Sequence, residues 1–413
     1  MDNNGILFTN ATIITVDPER RIWLDGAILI EGDRIAAIGK TSSLLQRFPA
    51  LKIKDCRGKI IIPGLVNTHA HLGQSILRGL AEDVPLHSWL CDSIWPLESN
   101  YDGDDGYIAS RLTIAEMLKS GTTCFLEALL TPRTGFDNAA RAVEEMGIRA
   151  CLGKLVKVEE KTNLGLSDPR DRDIASMSIA AALAAHDKYN GSYGGRLHVW
   201  MAAGTPRGTD EAVHKAIGDA CANHNIGLTM HCAEAPEDLV IYQDVYNCSP
   251  AEFCQRTNLM GPGRHTVLAH MVNLDSDRDM PLLSADVAGV TIAHNASSNC
   301  KLASGIAPVP DMLQNNVNVS LGTDGAPCAN TYDMIQEMRV AALVHRGVRH
   351  DATAITAEQV LAMATIHGAR ALGLETEVGS LEVGKKADLV VIDTSGLHCA
   401  PFDPQQVVDA TEN

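Results

Sequence analysis

The 413-residue sequence predicts an α/β chain: a (β/α)8, TIM-like barrel flanked by a small β-sandwich domain built from both termini. Three observations carry this expectation. Apolar, β-branched runs alternate with helix-like stretches through the middle of the chain, eight times over. Polar residues collect at the C-terminal ends of those runs, where a barrel opens its mouth. Short strand-and-turn patterns occupy both ends of the chain instead. With 45% hydrophobic residues, a chain this long can bury a barrel-sized core.

The smaller domain is expected from 1–62 and 375–413. Ile6–Phe8, Ala11–Val16, Ala27–Ile30 and Arg34–Ile38 are short apolar runs, separated by turn chemistry at Asp17-Pro18, Glu31-Gly32-Asp33 and Gly39. Val378–Gly384 and Ala387–Asp393 look like further strands of the same kind. The barrel, 63–374, is then an insertion.

Lys59–Ile62 reads as a buried strand that passes a Pro63-Gly64 corner and leads into Asn67-Thr68-His69-Ala70-His71. The later barrel strands are Gly121–Glu127, Ile148–Lys154, Leu197–Ala203, Gly227–His231, Thr266–His270, Val290–His294 and Val317–Asp324. Ala109–Lys119 and Ala139–Met146 are helix-like. A late helix is expected over Ala357–Leu372, opened by the capping box Thr356-x-x-Gln359 and stopped at Gly373.

On an extended strand, residues i and i+2 share a face, so His69 and His71 aim their imidazoles together. Alone, such a pair reads first as two core histidines bonded to carbonyls. The other strand ends decide, because they carry His231, His270, His294 and Asp324. Three histidines and one carboxylate suit a borderline divalent metal and leave a position for water. His69, His71, His231 and Asp324 are therefore the expected ligands of one zinc per chain, with Fe2+ as the alternative occupant. Glu234 would point away from His231 on a continuing strand. A turn at Ala233, with Pro236 soon after, brings its carboxylate back over the metal as a general acid/base. His270 is expected to orient or deprotonate the water, and His294 to support the site from its surroundings.

The acidic balance, −17, argues against nucleic-acid or anionic-membrane binding and leaves a small molecule as the partner. The eleven cysteines include no C-x-x-C pair, so neither a disulfide framework nor a thiolate zinc site is expected. No signal peptide or spanning segment is read, so a cytoplasmic protein is expected.

These residues resemble the amidohydrolase superfamily, and more narrowly its branch of 5′-methylthioadenosine/S-adenosylhomocysteine deaminases and triazine hydrolases. The resemblance rests on His69-x-His71, His231-x-x-Glu234, His270, His294–Gly305 and Leu321-Gly322-Thr323-Asp324-Gly325, in order along essentially the whole chain. It implies a mononuclear zinc barrel, and a homo-oligomer is expected. Two-metal members usually carry a lysine at the end of strand four; Met201–Thr205 has none. The segment Leu80–Leu90 with Ile94–Glu98 is similar to the element over the active site of nucleoside deaminases. That likeness makes Glu98 a ribose-hydroxyl acceptor, with a surface carboxylate as the alternative. Trp89 and Trp95 would stack a base or pack the lid.

Three departures bear on substrate. Gly204–Gly208 replaces a Pro-His-x-Pro-like segment and places Arg207 near the mouth. Lys154 stands where an arginine is expected. Relatives usually continue well beyond the last strand, whereas this sequence ends at Asn413. The expected activity is hydrolytic deamination of a purine nucleoside or related aminated N-heterocycle, with Glu234, His270 and Asp324 moving protons. Cleavage of an amide, carbamate or aryl-halide bond is the alternative enzyme chemistry, and a non-catalytic scaffold the alternative class.

Overall fold

Backbone pairing sorts the strands of the computed structural model into two sheets, described over residues 5–157, 168–170, 173–284 and 289–403. One unit comprises Met1–Val66 with Gly373–Asn413, the other Asn67–Leu372.

In the first unit, β1 (Ile6–Ile14) is central. It pairs antiparallel with β2 (Ile22–Glu31), which pairs with β3 (Arg34–Lys40). On its other edge β1 runs parallel to β4 (Lys52–Asp55) and β5 (Lys59–Pro63), and β14 (Leu389–Asp393) closes onto β5. The two runs expected at 6–8 and 11–16 form one strand, bulged where Asn10 takes φ +60°. Alternation buries Phe8, Ile13, Ile28 and Ile61 on one face. Leu7, Leu29 and Ala37 bury on the other, under Leu44 of the helix Thr41–Arg47. The stretch Val378–Gly384 is turn and irregular backbone, not a strand: Gly379 and Gly384 take φ +90° and +96°, outside any ladder. The expected module's last residues, 404–413, lie outside the described residues.

The second sheet runs β6 to β13 in strict sequence order: β6 (Leu65–Ala70), β7 (Thr122–Leu130), β8 (Arg149–Val156), β9 (Leu197–Ala203), β10 (Leu228–Cys232), β11 (Thr266–His270), β12 (Val290–His294) and β13 (Asn318–Leu321). A parallel bridge between Ala70 and Asp324 joins the last strand to the first, closing the (β/α)8 barrel. Strands covered on both faces should be apolar throughout, and every residue of β6, β8, β11 and β12 is buried. Register sets His231 beside Ala269 and Cys232 beside His270, so the C-terminal ends finish at one level.

The helices Asp105–Lys119 and Phe136–Met146 seal β7 and β8 through Ile114, Met117, Ala139 and Val143. The second stops at Gly147, whose φ of +76° suits glycine and whose N–H caps Val143 O. The expected late helix is two, Ala357–Met363 and Ile366–Ala371. The capping box at Thr356 and Gln359 forms as expected. The break is at Thr365, a β-branched residue whose hydroxyl donates to Leu361 O at 2.6 Å.

A glycine inside a helix ordinarily gains stability when changed to alanine. Gly106 is the reverse case, because an added Cβ would stand 1.9 Å from Thr134 O. Gly106→Ala is expected to destabilise the protein by about 1–3 kcal/mol, read as a lower urea midpoint. A midpoint unchanged or raised would contradict this packing.

Candidate metal centre

Parallel strands place four donor groups at one barrel end. The metal-facing atoms of His69, His71, His231 and Asp324 all lie within 4.8 Å of one another. His71 Nε2 is 3.2 Å from both His231 Nε2 and Asp324 Oδ1, and His69 Nε2 is 3.6 Å from Asp324 Oδ1. Burial lowers the His69 pKa to about 4 and the His231 pKa well below the usual imidazole range, His69 and His71 adding to the latter effect. Both rings are thereby held neutral, the form that binds metal. For Asp324, burial alone would raise the pKa; the imidazoles of His69 and His71 beside it outweigh that effect and hold the carboxyl well below its usual range.

The donor set fits zinc. His69 is fully buried, yet neither ring nitrogen has a hydrogen-bond partner, and a metal ion would satisfy the one that faces the other three donors. Asp324 is fixed by three contacts: its N–H donates to His69 O at 2.8 Å, Ser298 Oγ donates to Oδ2 at 2.7 Å, and Gly325 N donates to Oδ1 at 2.8 Å. Its backbone takes φ +64°, and that of His270 φ +77°, so both side chains leave their strand ends through left-handed turns.

The backbone also turns at Ala233, with φ +48°, and this brings Glu234 to the centre. Glu234 Oε1 lies 3.6 Å from His270 Nε2. His270 Nδ1 donates to Asn299 Oδ1 at 2.8 Å, which leaves Nε2 as the ring's lone-pair nitrogen, 3.9 Å from Asp324 Oδ2. Glu234 N and Ala235 N donate to Asp238 Oδ2 at 2.8 and 3.0 Å, opening the helix Pro236–Asp244.

A cleft in front of these groups is lined by Gln74, Trp89, Trp95, Lys157, Asp168, Arg170, Thr205, Arg207 and Thr209, together with His71, His231, Glu234 and Asp324. Glu98 is not a surface carboxylate: it is 3% exposed, accepting from Gln74 Nε2 at 3.0 Å and Arg170 Nη1 at 2.5 Å. The Arg170 guanidinium lies 5.1 Å from the Trp95 ring and donates to Asp168. Arg207 lines the cleft and donates to Glu234 Oε2 at 2.9 Å. Lys154 stands apart. Leu155 and Lys157 face the cleft, so alternation turns Lys154 the other way, towards the charges of Asp137 and Asp173. His294 packs behind the site, its Nε2 3.1 Å from His345 Nε2, and does not line the cleft. Gln74, Asp168, Arg170 and Asp238 were not singled out in the sequence. A signal existed for three of them, in the charge cluster Asp168-Pro169-Arg170 after β8 and in Asp238, the acid two residues after Pro236 in a first helical turn.

The chain matches the model of the amidohydrolase family over residues 60–412. It is similar to a 5-methylthioadenosine/S-adenosylhomocysteine deaminase of Acetivibrio thermocellus, 38% identical over 98% of this chain and 89% of that protein. A 5′-deoxyadenosine deaminase of Methanobrevibacter smithii is 36% identical over 97% and 87%. Among solved structures, an adenosine deaminase from Xanthomonas campestris with bound zinc gives a TM-score of 0.86 at 29% identity, covering 98% of this chain and 88% of that one. An atrazine chlorohydrolase from Arthrobacter aurescens complexed with zinc gives 0.85 at 25% identity, with 96% and 89% covered.

Elemental analysis is expected to find about one zinc per chain. His231→Ala should lose the metal while its far-ultraviolet circular dichroism stays native, because the ligands sit at the mouth and not in the packed interior. Two metals per chain, or full retention by the variant, would refute the ligand assignment.

Proposed function

The chain belongs to the amidohydrolase family, and from that premise we propose that it is a zinc-dependent aminohydrolase of a purine nucleoside or a related aminated N-heterocycle. It is a hydrolase of C–N bonds in cyclic amidines. The observation that carries this reading is the juxtaposition of Glu234 and His270 with the four ligand groups at the head of an aromatic-walled cleft. His69, His71, His231 and Asp324 would hold the metal. When bound, zinc supplies Lewis acidity that brings the pKa of a water towards ~7.

The chain's own groups then divide the proton traffic. Glu234 passes one proton of the water to the ring nitrogen beside the reacting carbon, which accepts the oxygen, and the other proton of the water goes to the departing amino group. His270, tied at Nδ1 by Asn299, presents Nε2 to hold that water or take its proton. Asp324 lies within reach of the same Nε2 and can return a proton to the departing amino group, which leaves as ammonia. Trp89 and Trp95 shield the reaction and offer faces to a planar base.

Glu98 supports a ribose-bearing substrate. It lies behind Gln74 and Arg170, which line the cleft and donate to it, and a carboxylate has acceptor capacity for more. The 5′-deoxyadenosine and 5-methylthioadenosine/S-adenosylhomocysteine deaminases among the relatives favour the same choice. Halide release is the second reading, favoured by the likeness to an atrazine chlorohydrolase and by Arg207 in the loop after β9. Ammonia against chloride release, measured over adenine nucleosides, pterins and chlorotriazines, separates the two. We place the enzyme in the cytoplasm, which its eleven free thiols support. Among the described residues no helix is long and apolar enough to cross a membrane.

Glu234→Gln is expected to keep zinc and substrate affinity and to lose turnover by roughly 10² or more. Normal turnover in that variant would move the acid/base role elsewhere. An adenine nucleoside is expected to exceed its free base in kcat/KM by about tenfold or more, and Glu98→Ala to erase the difference. Preference for the free base would remove ribose from the substrate.

A further inference from the structure

Resting on the aminohydrolase reading, we propose that Arg207 is the positioning residue of Glu234, a guanidinium clamp that fixes which carboxylate oxygen meets the substrate. The backbone of Glu234 is held from both sides, its N–H donating to Asp238 Oδ2 at 2.8 Å and its carbonyl accepting from Asn273 Nδ2 at 2.8 Å. That leaves the side-chain torsions, and a glutamate with a fixed backbone still has several rotamers. Arg207 Nη2 removes this freedom by donating to Oε2 at 2.9 Å. The clamp is itself anchored: Arg207 Nε stands 2.8 Å from Asp238 Oδ1, an ion pair whose angle falls short of a hydrogen bond. Asp238 therefore supports both the backbone of Glu234 and the guanidinium that grips its carboxylate. The oxygen left over, Oε1, is the one beside His270.

The residue type suits the task. A guanidinium stays protonated at any working pH, so it holds Oε2 without competing for the proton that Glu234 must move. A lysine there could exchange that proton. Arg207 and Glu234 are each buried, at 7% and 3% exposure, so solvent does not loosen the pair. Arg207 comes from the loop after β9 and Glu234 from the turn after β10, so the clamp also ties two neighbouring loops of the mouth.

The test is steady-state kinetics on zinc-loaded Arg207→Ala with and without added guanidinium ion, together with a crystal structure of the variant. Expected are wild-type zinc content, kcat reduced by about 10²-fold with KM within a few-fold, partial recovery of kcat by guanidinium, and a displaced Glu234 carboxylate. If the alanine variant does not fold, Arg207→Lys is the substitute, with a smaller loss of kcat and a shifted Glu234. A loss confined to KM would make Arg207 a substrate contact and overturn the proposal, as would kcat within threefold of wild type. Failure of the aminohydrolase reading looks different: the unaltered enzyme would release no ammonia from any aminated heterocycle. The position of Glu234 in the variant crystal would still decide the clamp, and an unmoved carboxylate would overturn it.

Discussion

One backbone hydrogen bond, from Asp324 N to His69 O at 2.8 Å, joins the end of the eighth barrel strand to the end of the first. Everything at the centre depends on that closure. Asp324 and His69 are 255 residues apart in sequence, and only a closed parallel sheet brings them side by side. Buried side-chain bonds reinforce it: Asn67 Nδ2 donates to Thr323 Oγ1 at 2.7 Å and Thr68 Oγ1 to Leu321 O at 2.9 Å. Gly322 lies in the same seam, where a Cβ would stand 2.6 Å from that of His69. Barrel closure and ligand convergence are thus a single structural event.

A second constraint follows from burial. The mouth holds more charge than an apolar interior tolerates unless each group finds a partner. Two networks supply the partners. In one, Arg170 lies between Glu98 and Asp168, with Lys157 also 3.5 Å from Asp168. Burial alone would raise the Asp168 pKa, but the adjacent guanidinium outweighs it and lowers it. In the other, Arg207 lies between Glu234 and Asp238. Each arginine therefore serves two carboxylates; removal of Arg207 strands both Glu234 and Asp238, and removal of Arg170 strands Glu98 and leaves Asp168 to Lys157. Breaking a buried pair by removing one member costs about 3–5 kcal/mol, so each arginine must stay with its carboxylates.

Much of this was legible in the sequence because the barrel repeats one rule. Strand-end histidines and the turn at Ala233 follow from strand periodicity and from a proline three residues beyond that turn, which local chemistry encodes. What escaped depends on side-chain direction or on distant partners. Lys154 sits in the right strand, but alternation sends it away from the cleft. Glu98 reads from sequence as either surface or site, and only its two partners, far along the chain in the case of Arg170, settle its burial. The run Val378–Gly384 has the composition of a strand, yet glycines with positive φ exclude it from the ladder. The break at Thr365 was hidden for a similar reason: a hydroxyl bonding back by four residues leaves the helical pattern of apolar residues intact.

The distribution of roles over elements explains why metal chemistry and substrate choice can be read with such different ease. The four candidate ligands and His270 sit on or just past strands whose positions are set by the ladder and by burial. Other cleft-lining residues, Trp89, Trp95, Arg170 and Arg207, come from the segments after β6, β8 and β9, where the ladder imposes no position. Such segments can exchange residues without disturbing closure. The only condition is that charge entering the mouth arrives with its counter-charge, as Arg170 does with Asp168 two residues away. Arg207 meets that condition differently, by borrowing the carboxylate of Glu234 and the acid that caps the following helix. Its presence therefore does more than wall the cleft: it ties the loop after β9 to the carboxylate that follows β10.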